Sequence, residues 1–177
     1  MSPDSDTYPF QLACSARTRD GLTVSLRPIR PDDGGRLAEF HQHLSMLSVY
    51  HRFFFVHPRL TEPEIDRFTH VDYQDRLALV AESDEQLIAV GRYERILGTS
   101  EAEVAFVVAD ELQHRGIATL LLGHLVEAAR VNGITVFVAE TLFGNRDMLD
   151  VFFHSGFEVT TRTDGELVHV RFSIEPA

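Results

Sequence analysis

Residues Glu103–Thr119, EVAFVVADELQHRGIAT, decide the fold. The run from Val104 to Ala109 is wholly apolar, the pattern of a strand covered on both faces. The chain then passes through Asp110 and Glu111 into Gln113-His114-Arg115-Gly116, and from Gly116 the period changes. Ile117, Leu120, Leu121, Leu125 and Ala128 recur on one helical face until Asn132 and Gly133 stop it. A second apolar run, Ile134 to Ala139, follows at once. Strand, long helix, strand is a crossover unit, so the Glu103 and Ile134 strands are expected to run parallel with the helix packed over them.

Upstream, Leu22 to Arg27 alternates as a strand, and Pro31 and Asp32 announce a helix with Leu37, Phe40, Leu44 and Leu47 on one face. Thr61 and Glu64, with Pro63 in the first turn, form a capping-box pattern for a second short helix. Runs Arg76–Glu82 and Gln86–Arg95 lead into the Glu103 strand through the short links Ser83-Asp84-Glu85 and Gly98-Thr99-Ser100, which favours an antiparallel meander. Downstream, a helix from Asn145 to about Ser155 stops at Gly156, and strands close the chain around Phe157–Arg162 and Leu167–Phe172. The sum is α/β, a single mixed and mostly antiparallel sheet flanked by helices. Residues 1–20 read as a flexible leader carrying the one cysteine, Cys14, and residues 21–177 as one domain.

Composition narrows the function. No run approaches the roughly 18 apolar residues of a membrane span, and the amino terminus lacks a secretory layout, so a cytoplasmic protein with no membrane partner is expected. A net charge of -11 without clustered basic residues disfavours nucleic acid. All sixteen basic residues are arginine, so the chain has no lysine of its own to modify. The nine histidines form no metal-ligand set: His41 and His43 point to different faces of a helix, and no metal is expected.

A turn that enters a helix presents unpaired backbone N–H groups at the positive end of the helix dipole, which is an anion site. Residues Gln113, His114, Arg115, Gly116, Ile117, Ala118 and Thr119 form such a turn. Gly116 and Ala118 let a phosphate approach the backbone, and Arg115 can add a charged hydrogen bond. An ordinary helix start fits the same residues.

The spacing Gln113, Gly116, Ala118 resembles the acyl-CoA-binding motif of the GNAT superfamily, and the order of elements from about Leu22 to Ile174 is similar to its fold. A narrower resemblance, to bacterial protein lysine acetyltransferases of the Pat type, rests on three stretches. They are Ser45, Ser48, Tyr50, Arg52, Phe53 and Phe54; Asp72-Tyr73 with Ala78-Leu79-Val80-Ala81; and Asn145-Arg146-Asp147-Met148-Leu149 with Gly156-Phe157. The resemblance implies acetyl-CoA as co-substrate, with the backbone of Phe106, Val107 and Val108 pairing with the pantetheine arm and residues 113–119 holding the pyrophosphate. Asn145 could cap its helix, contact CoA, or both. The acceptor implied is a lysine on another protein, an acyl-CoA synthetase among the candidates. A small amine acceptor and a non-catalytic acyl-CoA sensor are the alternatives.

A lysine, with a pKa of about 10.4, is almost wholly charged at neutral pH and must lose a proton before it attacks a thioester. Glu103 occupies the position of the catalytic glutamate in the Pat type, with apolar neighbours that can raise its pKa. Glu101 and Glu140 are rival carboxylates. Phe152 stands where many GNAT enzymes carry a tyrosine acid, which leaves His154 and Tyr50 as conceivable substitutes.

Overall fold

The computed structural model describes residues 8–176. In chain order the elements are β1 (Cys14–Arg17), β2 (Thr23–Pro28), α1 (Gly34–His43), α2 (Met46–Phe53), α3 (Glu62–Thr69), β3 (Arg76–Ser83), β4 (Gln86–Arg95), β5 (Glu101–Val108), α4 (Ile117–Val131), β6 (Val136–Leu142), α5 (Arg146–Phe153), β7 (Val159–Asp164) and β8 (Leu167–Ser173). The eight strands form one sheet in the order β1-β2-β3-β4-β5-β6-β8-β7. Every neighbouring pair is antiparallel except β5 and β6, which α4 joins as a parallel pair.

Burial follows the periodicities of the sequence. On α4 the buried positions Ile117, Ala118, Leu121, Leu122, Leu125, Val126, Ala128 and Ala129 form the face laid across β3, β4 and β5. Phe137, Phe152 and Phe172 join them in the main core, each at most 2% exposed. A smaller core forms around Ile29, Leu37, Phe40, Ala78, Val80, Leu87 and Val90, where α1 packs against β4. The β3–β4 hairpin turns on Asp84 and Glu85 alone, at φ 49° and 63°. Their left-handed backbone suits the twist of a two-residue hairpin, although neither is glycine.

Three expectations are corrected. First, Cys14–Arg17 is an edge strand paired with β2, so the sheet reaches into residues assigned to a leader; residues 1–7 of that leader lie outside the described residues. Burial on the strand raises the pKa of the Cys14 thiol, whose Sγ lies 3.7 Å from His124 Nε2. Second, the helix expected through Leu37, Phe40, Leu44 and Leu47 breaks at Leu44. Ser45 caps a new helix by accepting from the Ser48 N–H at 3.1 Å, and Leu47 is left 62% exposed. Third, Arg115 turns away from the helix end it was expected to serve, as described below.

Candidate active site

β5 has two neighbours at its start and one at its end. Glu101, Ala102 and Glu103 pair with Val136, Phe137 and Val138 of β6, but from Val104 onward only β4 remains as partner. Beyond that point β5 and β6 diverge, and the gap between them is a cleft of about 650 Å3 floored by both strands. Backbone groups of residues 104–108 on the β6 side thus have no strand partner, which offers an extended ligand the edge of a sheet. The Val108 carbonyl already accepts from Gln113 Nε2 at 3.2 Å.

All the sequence-predicted site residues except Arg115 line this cleft, from Glu103 through Phe106, Val107 and Val108 to the turn and Asn145. At one end α4 begins. Gly116 is its N-cap at φ 82°, a left-handed conformation that favours glycine, and no side chain caps the helix. The first backbone bond at this end runs from Leu120 N–H to the Gly116 carbonyl at 3.0 Å, so the amides of residues 117–119 are available to an anion. No protein atom lies within 4 Å of a Cβ built on Gly116, so a phosphate can come close. These features fit the pyrophosphate of a CoA thioester, which would add two extended phosphates to donors already in place.

Arg115, expected to add a charged hydrogen bond here, does not line the cleft, and its guanidinium is held by Asp20. Arg19, beside Asp20 in the turn between β1 and β2, lines the cleft instead. That residue was missed because the segment before β2 carries no strand-like periodicity. His114, also at positive φ (63°), places Nε2 3.5 Å from Asp147 Oδ2 at the start of α5. Asn145 caps α5 by accepting from Met148 N–H at 3.3 Å while lining the cleft.

Gln113 has a structural task. Its Nε2 donates to Ser48 Oγ at 3.0 Å, and Ser48 Oγ donates to Asp110 at 2.7 Å. Asp110 also accepts from the Ser45 N–H at 2.9 Å and the Ser45 hydroxyl at 2.5 Å. The serine-spaced run thereby ties the start of α2 to the turn that enters α4. Ser45 ahead of a helical run, with Ser48 three residues on, is the cap spacing that could have shown it.

At the other end stand three glutamates with different surroundings. Glu101 is gripped by both terminal nitrogens of Arg171 at 2.6 and 2.7 Å, and these hydrogen bonds hold its pKa below the usual range. Glu140 lies 3.1 Å from His169 Nδ1. Glu103 makes no ion pair or hydrogen bond among the described residues. Its carboxylate is open to solvent, yet the surrounding protein desolvates it, and with help from the Glu140 charge this pushes its pKa up against the opposing pull of Arg52. Phe152 is 1% exposed, packed between Phe106 and Phe172 at centroid distances of 6.3 and 5.8 Å, and offers no proton. His154 lines the cleft, with Nδ1 2.9 Å from the Asp150 carbonyl oxygen. Gly91 sits opposite Phe106 on β4, where a Cβ would come within 2.9 Å of the ring. Among the described residues no group of histidine, cysteine and carboxylate side chains could hold a metal, and no helix is long and apolar enough to cross a membrane.

Comparison with known proteins agrees with this geometry. Residues 44–157 match the acetyltransferase (GNAT) family. An acetyltransferase of Pseudomonas aeruginosa is 32% identical over 78% of this chain and 76% of its own length. Acetyltransferase Pat of Mycolicibacterium smegmatis is 31% identical over 90% of this chain, which spans 48% of that protein. The crystal structure of the GNAT domain of S. lividans PAT superposes with a TM-score of 0.89 at 39% identity, covering 94% of this chain and 99% of that one. With its diverging parallel strands, uncapped helix start and unpaired carboxylate, the chain belongs to the GNAT family of acetyltransferases and is closely related to the Pat-type catalytic domains.

Proposed function

We propose that this domain moves the acetyl group of acetyl-CoA to the ε-amine of a lysine on another protein, with Glu103 as the general base. The observation that carries the reading is Glu103 itself, a desolvated carboxylate without a partner where β5 parts from β6. Phosphates on the amides of residues 117–119, with Arg19 alongside, would run the pantetheine arm along residues 106–108 and bring the thioester to that point. The incoming lysine gives a proton to Glu103, directly or through water, and its nitrogen attacks the carbonyl carbon. The C–N bond forms, the negative charge on the carbonyl oxygen falls to a backbone N–H near Val107, and the C–S bond then breaks. The departing thiolate is a good leaving group and takes a proton from solvent or from His154.

Two features favour a protein acceptor over a small polyamine. Of the four other carboxylates lining the cleft, Asp110 is held by serines, Asp147 and Glu140 lie against histidines, and Asp150 alone has no side-chain partner among the described residues, so a polycation meets few free charges. Beside the cleft, Met46, Leu47, Phe55 and Val56 are 85, 62, 54 and 79% exposed, an apolar rim suited to a macromolecular surface. With no lysine in these 177 residues, the acceptor lysine lies outside them. The test is CoA release from acetyl-CoA with an acyl-CoA synthetase or a panel of small amines, for wild type and Glu103→Gln. Turnover on the protein, largely lost in the variant, supports the reading. Turnover on small amines alone sinks the protein assignment, and acetyl-CoA binding without turnover on either sinks the activity.

A further inference from the structure

On the sheet face away from α4, a second cavity of about 30 Å3 opens behind Val107. Phe40, Phe53, Phe68 and Val90 give it apolar walls, and its polar lining is His41 and two arginines, Arg52 and Arg92. Arg52 and Val107 also line the main cleft, which sets the cavity beside it at the end where Glu103 stands.

Arg52 lies over the Phe53 ring at 4.9 Å and Arg92 over the Phe68 ring at 4.1 Å, and neither makes an ion pair or hydrogen bond among the described residues. Glu94, whose charge reaches Arg92, is already shared by Arg67 at 2.8 Å and Arg76 at 3.8 Å. Burial, then the charges of Arg52 and Arg76, pull the Arg92 pKa down to about 9, which leaves it cationic at neutral pH. Four guanidiniums thus gather around Glu94 and Glu103 in a chain whose net charge is -11. Partly buried cations without ion-pair partners are costly, and an anion in the cavity would offset that cost.

The shape of the cavity selects the anion. One water needs roughly 10–15 Å3, so this cavity holds a group of two or three heavy atoms and excludes a phosphate ester or a peptide. Apolar walls suit methylenes, and paired guanidiniums suit a carboxylate through bidentate hydrogen bonds. We propose that the cavity receives acyl chains ending in a carboxylate, so that the domain takes short dicarboxylic thioesters of CoA, of the malonyl or succinyl kind, as well as acetyl-CoA. This rests on the acyl-transfer reading of the cleft. The transfer is the one already described, with the terminal carboxylate a spectator: the amine nitrogen bonds the thioester carbon, the C–S bond breaks, the amine proton goes to Glu103 and the thiolate is protonated to free CoA.

The test is equilibrium binding of two matched pairs to the wild-type protein: malonyl-CoA against propionyl-CoA, and succinyl-CoA against butyryl-CoA, with acetyl-CoA as reference. Each pair differs only in carboxylate against methyl. Tighter binding of the acid in either pair, by about tenfold as a charge-assisted hydrogen bond provides, supports the proposal. Arg92→Met then removes the preference, and Arg92→Lys keeps part of it. Equal or weaker binding of both acids, with acetyl-CoA still bound, overturns the proposal and leaves the acetyl-transfer reading standing. Failure of every thioester to bind overturns both.

Discussion

The two ends of the cleft are built by different means. The helix end is made of backbone: a left-handed Gly116, amides at the start of α4, and consecutive residues that bring their own geometry. The other end is made of side chains from four elements, with Glu103 on β5, Glu140 on β6, Arg52 on α2 and Arg92 on β4. A site made of local backbone can be read from spacing, whereas a site made of distant side chains depends on the register of the sheet and on where α2 lands.

The largest effect expected from breaking this division is at the side-chain end. Glu103→Gln should lower kcat by about 10²–10⁴-fold, the range for loss of a general base, while acetyl-CoA affinity changes little, as steady-state rates and calorimetry would show. Beneath the cleft, Gly91→Ala should cost about 1–3 kcal/mol in denaturant unfolding, because its Cβ meets the Phe106 ring at 2.9 Å and Leu121 Cβ at 3.2 Å. At the helix end, Arg19→Ala should weaken acetyl-CoA binding by about tenfold through loss of a phosphate contact, and Arg115→Ala should have a smaller effect. Equal losses in the two variants would contradict the assignment of Arg19 over Arg115. The smallest effect is electrostatic. Removing the Glu140 charge with Glu140→Gln should move the acidic limb of kcat to lower pH, since that charge raises the Glu103 pKa; an upward shift would contradict it.

The same division explains what could be read beforehand. The change from an apolar run to helical period at Gly116, and back at Gly133, identified β5, α4 and β6 and their parallel pairing. Leu37, Phe40, Leu44 and Leu47 keep helical spacing through a real break, so periodicity alone joined α1 to α2, and only the cap geometry of Ser45 separates them. β1 was hidden because a four-residue edge strand with alternate exposure needs no apolar pattern. Its position also decided Arg115. Asp20 lies far away in sequence but is brought to α4 by the β1–β2 connection, where it holds the Arg115 guanidinium. The place of Glu103 in the cleft was legible through its position on the strand and through family resemblance. Its contrast with Glu101 was not, because the Arg171 that neutralises Glu101 comes from β8, two places along the sheet.

The most direct test of the account is the pH dependence of kcat at saturating acetyl-CoA, with a protein lysine acceptor, for wild type and Glu103→Gln. A base must be ionised to act, and the Glu103 pKa is raised, so wild-type activity should rise through an acidic limb above the ordinary glutamate range. The variant should keep its acetyl-CoA affinity and lose both the rate and that limb. If the limb persists in Glu103→Gln with undiminished rate, the base is elsewhere and the division between the two ends is wrong.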